Sequence, residues 1–400
     1  MMEMHPLQKQ ILSIILAVLI LLQVAAVPAP AAPEGIELTL SSEAAVLIDA
    51  ENETVLYEDN ARSPLPPASI TKVMTLLLAM EDLKAGRINW ETTVTVSERA
   101  WRTGSSESQM FLNIGQQVSF KDLLKGIAIV SANDACIAVA EHLNGSVEAF
   151  VERMNRRAEE LGLENSHFVN AHGLDNPDHY MSAADIARLA AYFIRTQPEA
   201  AAFHSEKEFT FNDIRQFNFN TLLQNYPGVD GLKTGSTPEA GFCLVSTAKR
   251  QEMRLIAVVL NSPTKELRRK DSITLLDYGF CNYELKTLYE ENETVTAVPV
   301  KRGQKREIDL VATGPVRAVV PHNDSSNKIA EVFELPKAVS APVEEGELIG
   351  TLHLKSPQGE PIAEVELYAQ ESLKRLGFFS NLARQIGDFF SGLWNRLLRR

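Results

Sequence analysis

The sequence predicts an α/β domain built on a mainly antiparallel sheet with packed helices, then a small all-β domain and a C-terminal amphipathic helix. Three observations predict this. Residues 36–283 carry strand-like runs at both ends with helical stretches between them. Residues 284–370 change to short alternating runs punctuated by Gly303, Gly314, Gly346 and Gly359. Residues 373–400 return to helical spacing, with six Lys/Arg set against Asp388 alone. Four hundred residues suit two or three domains at ~150 residues each, enough for a sizeable core. The formal net charge of −13 argues against a nucleic-acid partner, which a phosphate-binding surface would meet with net basic patches. Cys136, Cys243 and Cys281 are too few and too scattered for a disulfide framework or a zinc site. Their apolar surroundings predict three buried free thiols.

The first element is a polar segment, His5 to Gln10 with Lys9, followed by an apolar run from Ile11 to Val27 broken only by Ser13 and Gln23. Ala29-Pro30-Ala31-Ala32-Pro33 then offers small residues for cleavage. This pattern predicts a secretory signal peptide over residues 1–32, cut near Ala31 or Ala32, with an uncleaved anchor as the alternative. Either way the remainder is expected to work outside the cytoplasm.

Glu43 to Tyr57 reads as a hairpin around Asp49-Ala50-Glu51-Asn52. Residues 68–84 read as a helix apolar on nearly every side, hence buried in the middle of the domain, and stopped at Gly86. Thr92 to Ser97 alternates like a strand. Phe120 to Leu143 is helical but broken near Ser131-Ala132-Asn133-Asp134, and Val147 to Leu161 is an amphipathic helix ended by Gly162. Ser182 caps a helix to Arg195, with Asp185 at the third position after it. Phe242–Ala248 and Arg254–Leu260 flank a charged turn and read as adjacent antiparallel strands of a buried sheet. Leu267 to Tyr283 is again helical.

Chemistry enters at Ser69-Ile70-Thr71-Lys72. Ser69 falls in the first turn of the apolar helix, where free N–H groups favour developing negative charge. Lys72 lies one turn away on the same face. Desolvation lowers a lysine's hold on its proton, and such a lysine can take the proton of a neighbouring hydroxyl to make a nucleophile. Alone, an S-x-x-K is a weak signal. Ser131-Ala132-Asn133 follows 62 residues later at a break between apolar helices, where its polar side chains can point into a cleft. Lys233-Thr234-Gly235 follows 102 residues later still and opens the strand region. An edge strand there can offer backbone N–H groups to a reacting carbonyl, and Gly235 permits close approach. The three together, in this order, are a strong signal for serine acyl transfer.

With these residues the chain resembles the low-molecular-weight penicillin-binding proteins, the serine-type D-alanyl-D-alanine carboxypeptidases of peptidase family S11. Besides Ala68–Thr75, Ser131–Ala135 and Val229–Gly235, the stretches Ser108-Gln109-Met110-Phe111-Leu112 and His172-Gly173-Leu174-Asp175 look like the family's signatures. The resemblance covers roughly residues 36–283 and extends more loosely to the β module and the C-terminal helix. It implies a penicillin-binding/β-lactamase-like transpeptidase fold. It also implies that Ser69 attacks the penultimate D-alanine of a peptidoglycan stem peptide, with Lys72 as general base and Ser131 relaying a proton to the leaving amine. By the same resemblance Lys233 holds that network, and Asn133 orients the peptide and Lys72. The backbone N–H groups of Ser69 and Ser236 form the oxyanion hole beside Gly235, and Thr234 and Arg268 bind the terminal carboxylate. β-Lactams are implied as covalent inhibitors, and no metal or organic cofactor is called for.

Several alternatives stay open on the sequence. Arg268 is followed by Arg269 and Lys270, so it either reads a carboxylate or belongs to a solvated charge run. His172 and Asp175 suggest a Ser-His-Asp triad, but their turn-rich loop favours shaping the cleft rim. A serine β-lactamase shares the three motifs, yet Ala132 and Glu164-Asn165-Ser166-His167 do not match the glutamate-dependent class. An endopeptidase cutting cross-links and a non-catalytic wall sensor are the remaining rivals. The C-terminal segment, with Trp394 and Phe379, Phe389 and Phe390 on its apolar side, reads as lying in an anionic membrane surface. Packing against the β module or a partner chain is the other reading.

Overall fold

The computed structural model describes residues 38–104, 108–322, 329–356 and 359–377. The expected signal peptide and most of the expected C-terminal helix lie outside the described residues. Among those described, no helix is long and apolar enough to cross a membrane.

The strands are β1 (Ala44–Asp49), β2 (Val55–Asp59), β3 (Thr93–Thr95), β4 (Gln117–Ser119), β5 (Glu208–Phe211), β6 (Ile214–Phe217), β7 (Val229–Thr237), β8 (Gly241–Arg250) and β9 (Met253–Ser262). The helices are α1 (Lys72–Lys84), α2 (Glu98–Gly104), α3 (Phe120–Val130), α4 (Asn133–Asn144), α5 (Val147–Glu160), α6 (Ala183–Thr196), α7 (Pro198–Phe203), α8 (Leu222–Asn225) and α9 (Lys265–Asn282). The main sheet runs β2-β1-β9-β8-β7 and is antiparallel throughout. Both sequence ends of the domain therefore meet in one sheet, as the strand-rich ends predict.

Alternation in the central strands sorts the sheet into two faces. Val46, Ile48, Val245, Ile256, Val258 and Leu260 join the large core that holds α1, α3, α4 and α6. Leu47 and Leu255 point the other way, onto Gly279 of α9, where a Cβ would come within 2.4 Å of Leu255 Cδ1. Helix α1 sits inside this core, with Val73 through Met80 buried without interruption. Its run of apolar residues has no polar face because it has no solvent face. Ser119, Ser146 and Ser182 cap α3, α5 and α6 through their hydroxyls, each accepting an N–H three residues on.

Four expectations are corrected. The nucleophile stretch is not the first turn of an α-helix: Ala68–Thr71 form a separate 3₁₀ turn, and α1 begins at Lys72. Ala68 has φ +47°, a left-handed conformation that an α-helix cannot contain. Cys281 is exposed near the end of α9, whereas Cys136 and Cys243 are buried. A β5–β6 hairpin stands where the sequence reading places no element: β5 alternates, with Phe209 in the core and Phe211 packed on it, but each strand has only four residues. Its signal was the two-residue turn Asn212-Asp213, both at positive φ. Finally, residues 373–377, which the sequence reading assigns to an amphipathic helix, are not helical. Leu373 and Arg375 bridge Val343 and Gly303, and Leu376 N donates to Arg302 O, so these residues belong to the β module.

That module follows α9 directly. Strand β10 (Tyr283–Tyr289) pairs with β13 (Val316–Pro321). The strands β11 (Thr296–Lys301), β12 (Glu307–Val311), β14 (Ala330–Glu334), β15 (Val339–Ser340), β16 (Leu348–Lys355) and β17 (Pro361–Ala369) form a second sheet, ordered β14-β16-β17-β12-β11-β15. Leu310, Ala318, Leu352, Leu354 and Leu367 form its own core. It meets the first domain through Asn52 Nδ2, which donates to Arg317 O at 3.0 Å, and Thr54 Oγ1, which donates to Ile362 O at 3.1 Å.

Leu77, fully buried at the centre of α1, tests the core. Leu77→Ala should cost about 2–5 kcal/mol, read as a lowered urea midpoint at unchanged slope.

Candidate active site

The site grows from Lys72. Its side chain is 0% exposed, and its Nζ donates to Ser69 Oγ at 2.8 Å and to the His172 carbonyl at 2.6 Å. A buried ammonium is tolerable only when oxygen atoms replace its water. Here they come from the i−3 hydroxyl and from a loop 100 residues away in sequence. Ser69 itself is half-buried, so its hydroxyl stands where the core meets solvent.

Helix α3 ends in Ser131, which has φ +60° and so turns the chain sharply into α4. Ser131 Oγ and Asn133 Oδ1 are buried without a hydrogen-bond partner among the described residues. Buried polar atoms are nearly always satisfied, so these two mark a place where a ligand or water is expected. The Asn133 N–H donates to Ser108 O at 2.8 Å, and Asp134 accepts the N–H groups of Met110 and Leu112. One turn further along α4, burial pushes the Cys136 thiol up to about 12, while the charges of both Lys72 and Lys233 act to lower it. The start of α4 therefore lies within the electrostatic reach of both lysines.

Strand β7 supplies the third motif. It is an edge strand of the main sheet. Lys233 is buried and its Nζ donates to Thr234 O at 3.0 Å. Burial first, then repulsion from Lys72 and Arg268, holds its ammonium well below the ordinary lysine range. Gly235 lies against the nucleophile turn: a Cβ there would stand 2.9 Å from Pro67 O and 3.0 Å from Ser69 N. No side chain fits between the strand and Ser69. Thr234 is buried and Ser236 is exposed next to it.

Arg268 is buried in the first turns of α9, so it is no part of a solvated charge run. It donates to the carbonyl of Cys243, which pairs with Gly235 across the ladder, and its Nε has no partner. Burial lowers its pKa.

The loop from Asn170 to Asp178 joins these parts. His172 gives Lys72 its carbonyl, while its ring Nδ1 accepts the Leu174 N–H at 3.2 Å. Gly173, at φ +89°, is pressed on Ala68 so closely that a Cβ would overlap its carbonyl oxygen. Asp175 accepts from Thr237 Oγ1 at the end of β7 and from Glu239 N. The geometry gives His172 and Asp175 the work of tying the rim together. Two further residues, Thr71 at the end of the turn and His179 in contact with it, are not singled out by the sequence reading. Thr71 sits inside the S-x-x-K motif, and His179 follows the His172–Asp175 loop.

Residues 28–264 match the family model described as D-alanyl-D-alanine carboxypeptidase. The chain belongs to that family, peptidase S11. Residues 283–375 match the C-terminal domain of penicillin-binding protein 5. The family member from Bacillus subtilis called D-alanyl-D-alanine carboxypeptidase DacF is 40% identical over 357 residues, 88% of this chain and 91% of the relative. DacC of Escherichia coli is 40% identical over 349 residues, 86% and 87% of the two chains. Among solved structures, penicillin-binding protein 5 from Haemophilus influenzae superposes with a TM-score of 0.76 at 37% identity, covering 85% of this chain and all of that one. Penicillin-binding protein D2 from Listeria monocytogenes, in an ampicillin-bound form, gives 0.57 at 33% identity over 62% of this chain and all of that one.

Three buried histidines give this protein an acid response. Burial, reinforced by the Lys72 charge, holds His172 down at about 3. Burial also holds His179 at about 4 and, with Lys233 nearby, His204 at about 3. Unfolded, each would titrate near 6.5. Between those limits the unfolded chain binds more protons, so stability rises with pH and is lost as pH falls from about 6.5 towards 4. Each histidine adds about 1.4 kcal/mol per pH unit to that slope. His204→Phe should remove about one proton's worth of it, measured by urea unfolding from pH 7 to 4.5.

Proposed function

We propose that this protein is a serine D-alanyl-D-alanine carboxypeptidase of peptidoglycan metabolism in which Ser69 is the acylated nucleophile. The observation that carries the reading is the 2.8 Å contact between the buried Lys72 ammonium nitrogen and Ser69 Oγ. As the amine, Lys72 takes the Ser69 proton while Oγ attacks the carbonyl of the penultimate D-alanine. The developing oxyanion accepts from the N–H groups of Ser69 and Ser236, which the absence of a side chain at Gly235 allows to converge.

Ser131 passes the proton to the nitrogen of the terminal D-alanine as the peptide bond breaks. That amino acid leaves, and the acyl group remains as an ester on Ser69. Water then attacks the ester and restores the hydroxyl. Asn133 orients the peptide, and Lys233 stabilises charge from the far side of the cleft. Thr234 and Arg268 bind the terminal carboxylate; a guanidinium with an unpartnered Nε in a buried place suits a planar anion. β-Lactams enter by the same acylation, a reading supported by the ampicillin- and cefotaxime-bound forms of the Listeria neighbour.

The enzyme is exported and held on the outer face of the cytoplasmic membrane. The apolar run of residues 11–27 and the basic aromatic pattern near the C-terminus support this.

Detergent-solubilised protein should release D-alanine from a peptide ending in D-Ala-D-Ala. Ser69→Ala should abolish release, and Lys72→Ala should lower it about 10²–10⁴-fold, the range for loss of a general base. Mass spectrometry after penicillin should find a long-lived adduct on Ser69. Rapid penicillin turnover would instead indicate a β-lactamase, and no adduct a sensor. Chain ending at Gly377 should move to the soluble fraction after signal cleavage, whereas the complete chain should pellet with membranes.

A further inference from the structure

Beneath the nucleophile turn runs a hydrogen-bond chain that the reaction described above does not use. The Val169 N–H donates to His179 Nδ1 at 3.1 Å. A backbone N–H can only donate, so Nδ1 presents its lone pair and the neutral ring carries its proton on Nε2. Nε2 stands 2.7 Å from Thr71 Oγ1, and Thr71 Oγ1 stands 2.9 Å from the Ala68 carbonyl oxygen. That carbonyl can only accept. The polarity of the chain is thus settled: ring N–H to hydroxyl, hydroxyl to carbonyl. Ala68, Thr71 and His179 are all buried, the last 3% exposed. Burial, with the charges of His167 and Lys72, keeps the ring neutral down to about pH 4.

The carbonyl at the end of this chain is one half of the peptide group whose other half is the Ser69 N–H. The group is planar, so holding the oxygen also aims the N–H. A donor on the oxygen draws electron density towards it and strengthens the N–H as a donor, by roughly 10–30% per bond in a chain. The peptide group needs holding: Ala68 is at φ +47°, and Gly173 packs against the same carbonyl.

We propose that His179 is a positioning residue for acyl transfer, acting through Thr71 to orient and polarise the Ala68–Ser69 peptide so that its N–H meets the oxyanion. The inference rests on the reading of Ser69 as the nucleophile with its own N–H in the oxyanion hole. His179 touches no substrate. Its effect falls on the charge that appears only in the transition state, and so on the rate of acylation rather than on binding.

The test is stopped-flow acylation of the detergent-solubilised full-length protein by a fluorescent penicillin over a range of concentrations. This separates the noncovalent dissociation constant from the first-order acylation constant. His179→Ala should lower the acylation constant about tenfold, less than the 10²–10³ of a deleted oxyanion donor, with little change in the dissociation constant. His179→Gln, whose amide nitrogen reaches as far as Nε2, should recover most of that loss. Thr71→Ser should behave as wild type and Thr71→Val should lose at least as much as His179→Ala. Adding His179→Ala to Thr71→Val should cost nothing more, since the chain is already cut.

Asp185→Ala frees Asn165 and Ser166 in the same connection between α5 and α6 without touching the chain, so it reports on loosening alone. The proposal is overturned if Asp185→Ala slows acylation as much as His179→Ala at an equal loss of Tm. It is also overturned if folded His179→Gln stays as slow as His179→Ala, or if the His179 and Thr71 effects add. Should His179→Ala fail to fold, the Thr71 pair and His179→Gln decide the matter. A wild-type protein that forms no Ser69 adduct would remove the nucleophile reading itself, a result distinct from normal acylation by the variants.

Discussion

A lysine ammonium taken wholly out of water is the constraint on which the rest of the domain is arranged. Lys72 begins the helix at the centre of the core, and its charge must find oxygen there. The Ser69 hydroxyl is one such oxygen, and the His172 carbonyl is another. Fulfilling this need fixes where the 3₁₀ turn sits and where the 170–178 loop must pass. It also places the hydroxyl beside a nitrogen that, once deprotonated to the amine, would stand in the geometry a general base requires. A second buried cation, Lys233, is set close enough for the two to repel. Burial first, and that repulsion after it, weaken the hold of Lys233 on its proton, and a site lined by two lysine nitrogens suits a substrate that ends in a carboxylate and reacts through an oxyanion.

Much of this was legible in the sequence, and the parts that were not share a reason. Ser69, Lys72, Ser131 and Lys233 could be singled out because their motifs keep fixed spacing within elements whose periodicity is plain. The helices and the central strands were legible because their apolar runs reflect burial on one or both faces. The turn at Ala68 was not, since a left-handed alanine leaves no trace in composition and is imposed by the Gly173 and Thr71 contacts around it. His179 was invisible for a related reason: its role depends on which backbone atoms two distant segments bring to its ring. The β5–β6 hairpin sets only Phe209 and Phe211 of β5 on the core, and β6 adds polar contacts such as Gln216 Nε2 to Gln109 O, so its apolar signal is short. Residues 373–376 read with the segment after them because Leu376 fits its helical spacing, although their backbones complete the β module.

The 170–178 loop shows how few parts align the site. It supplies the carbonyl on Lys72, the glycine packed on Ala68 and the carboxylate on Thr237. Lys72, the 3₁₀ turn that carries Ser69 and strand β7 are therefore referenced to a single segment rather than to one another. Errors in their separate elements do not accumulate at the reacting atoms. Asn170 stiffens the segment internally, accepting the N–H groups of His172 and Gly173 while donating to Leu174 O.

The attachment of the β module has a simple geometric corollary. It grips the turn between β1 and β2, and Arg317 reaches Glu252 in the turn between β8 and β9. Both turns lie at one end of the main sheet, because Asp49 pairs with Leu255. Ser236 and Thr237 lie at the other end, paired with Phe242 and Gly241. The module is thus a plinth and not a lid: it can set the height and tilt at which the cleft is presented to a wall polymer, while leaving the choice of what enters to the opposite rim.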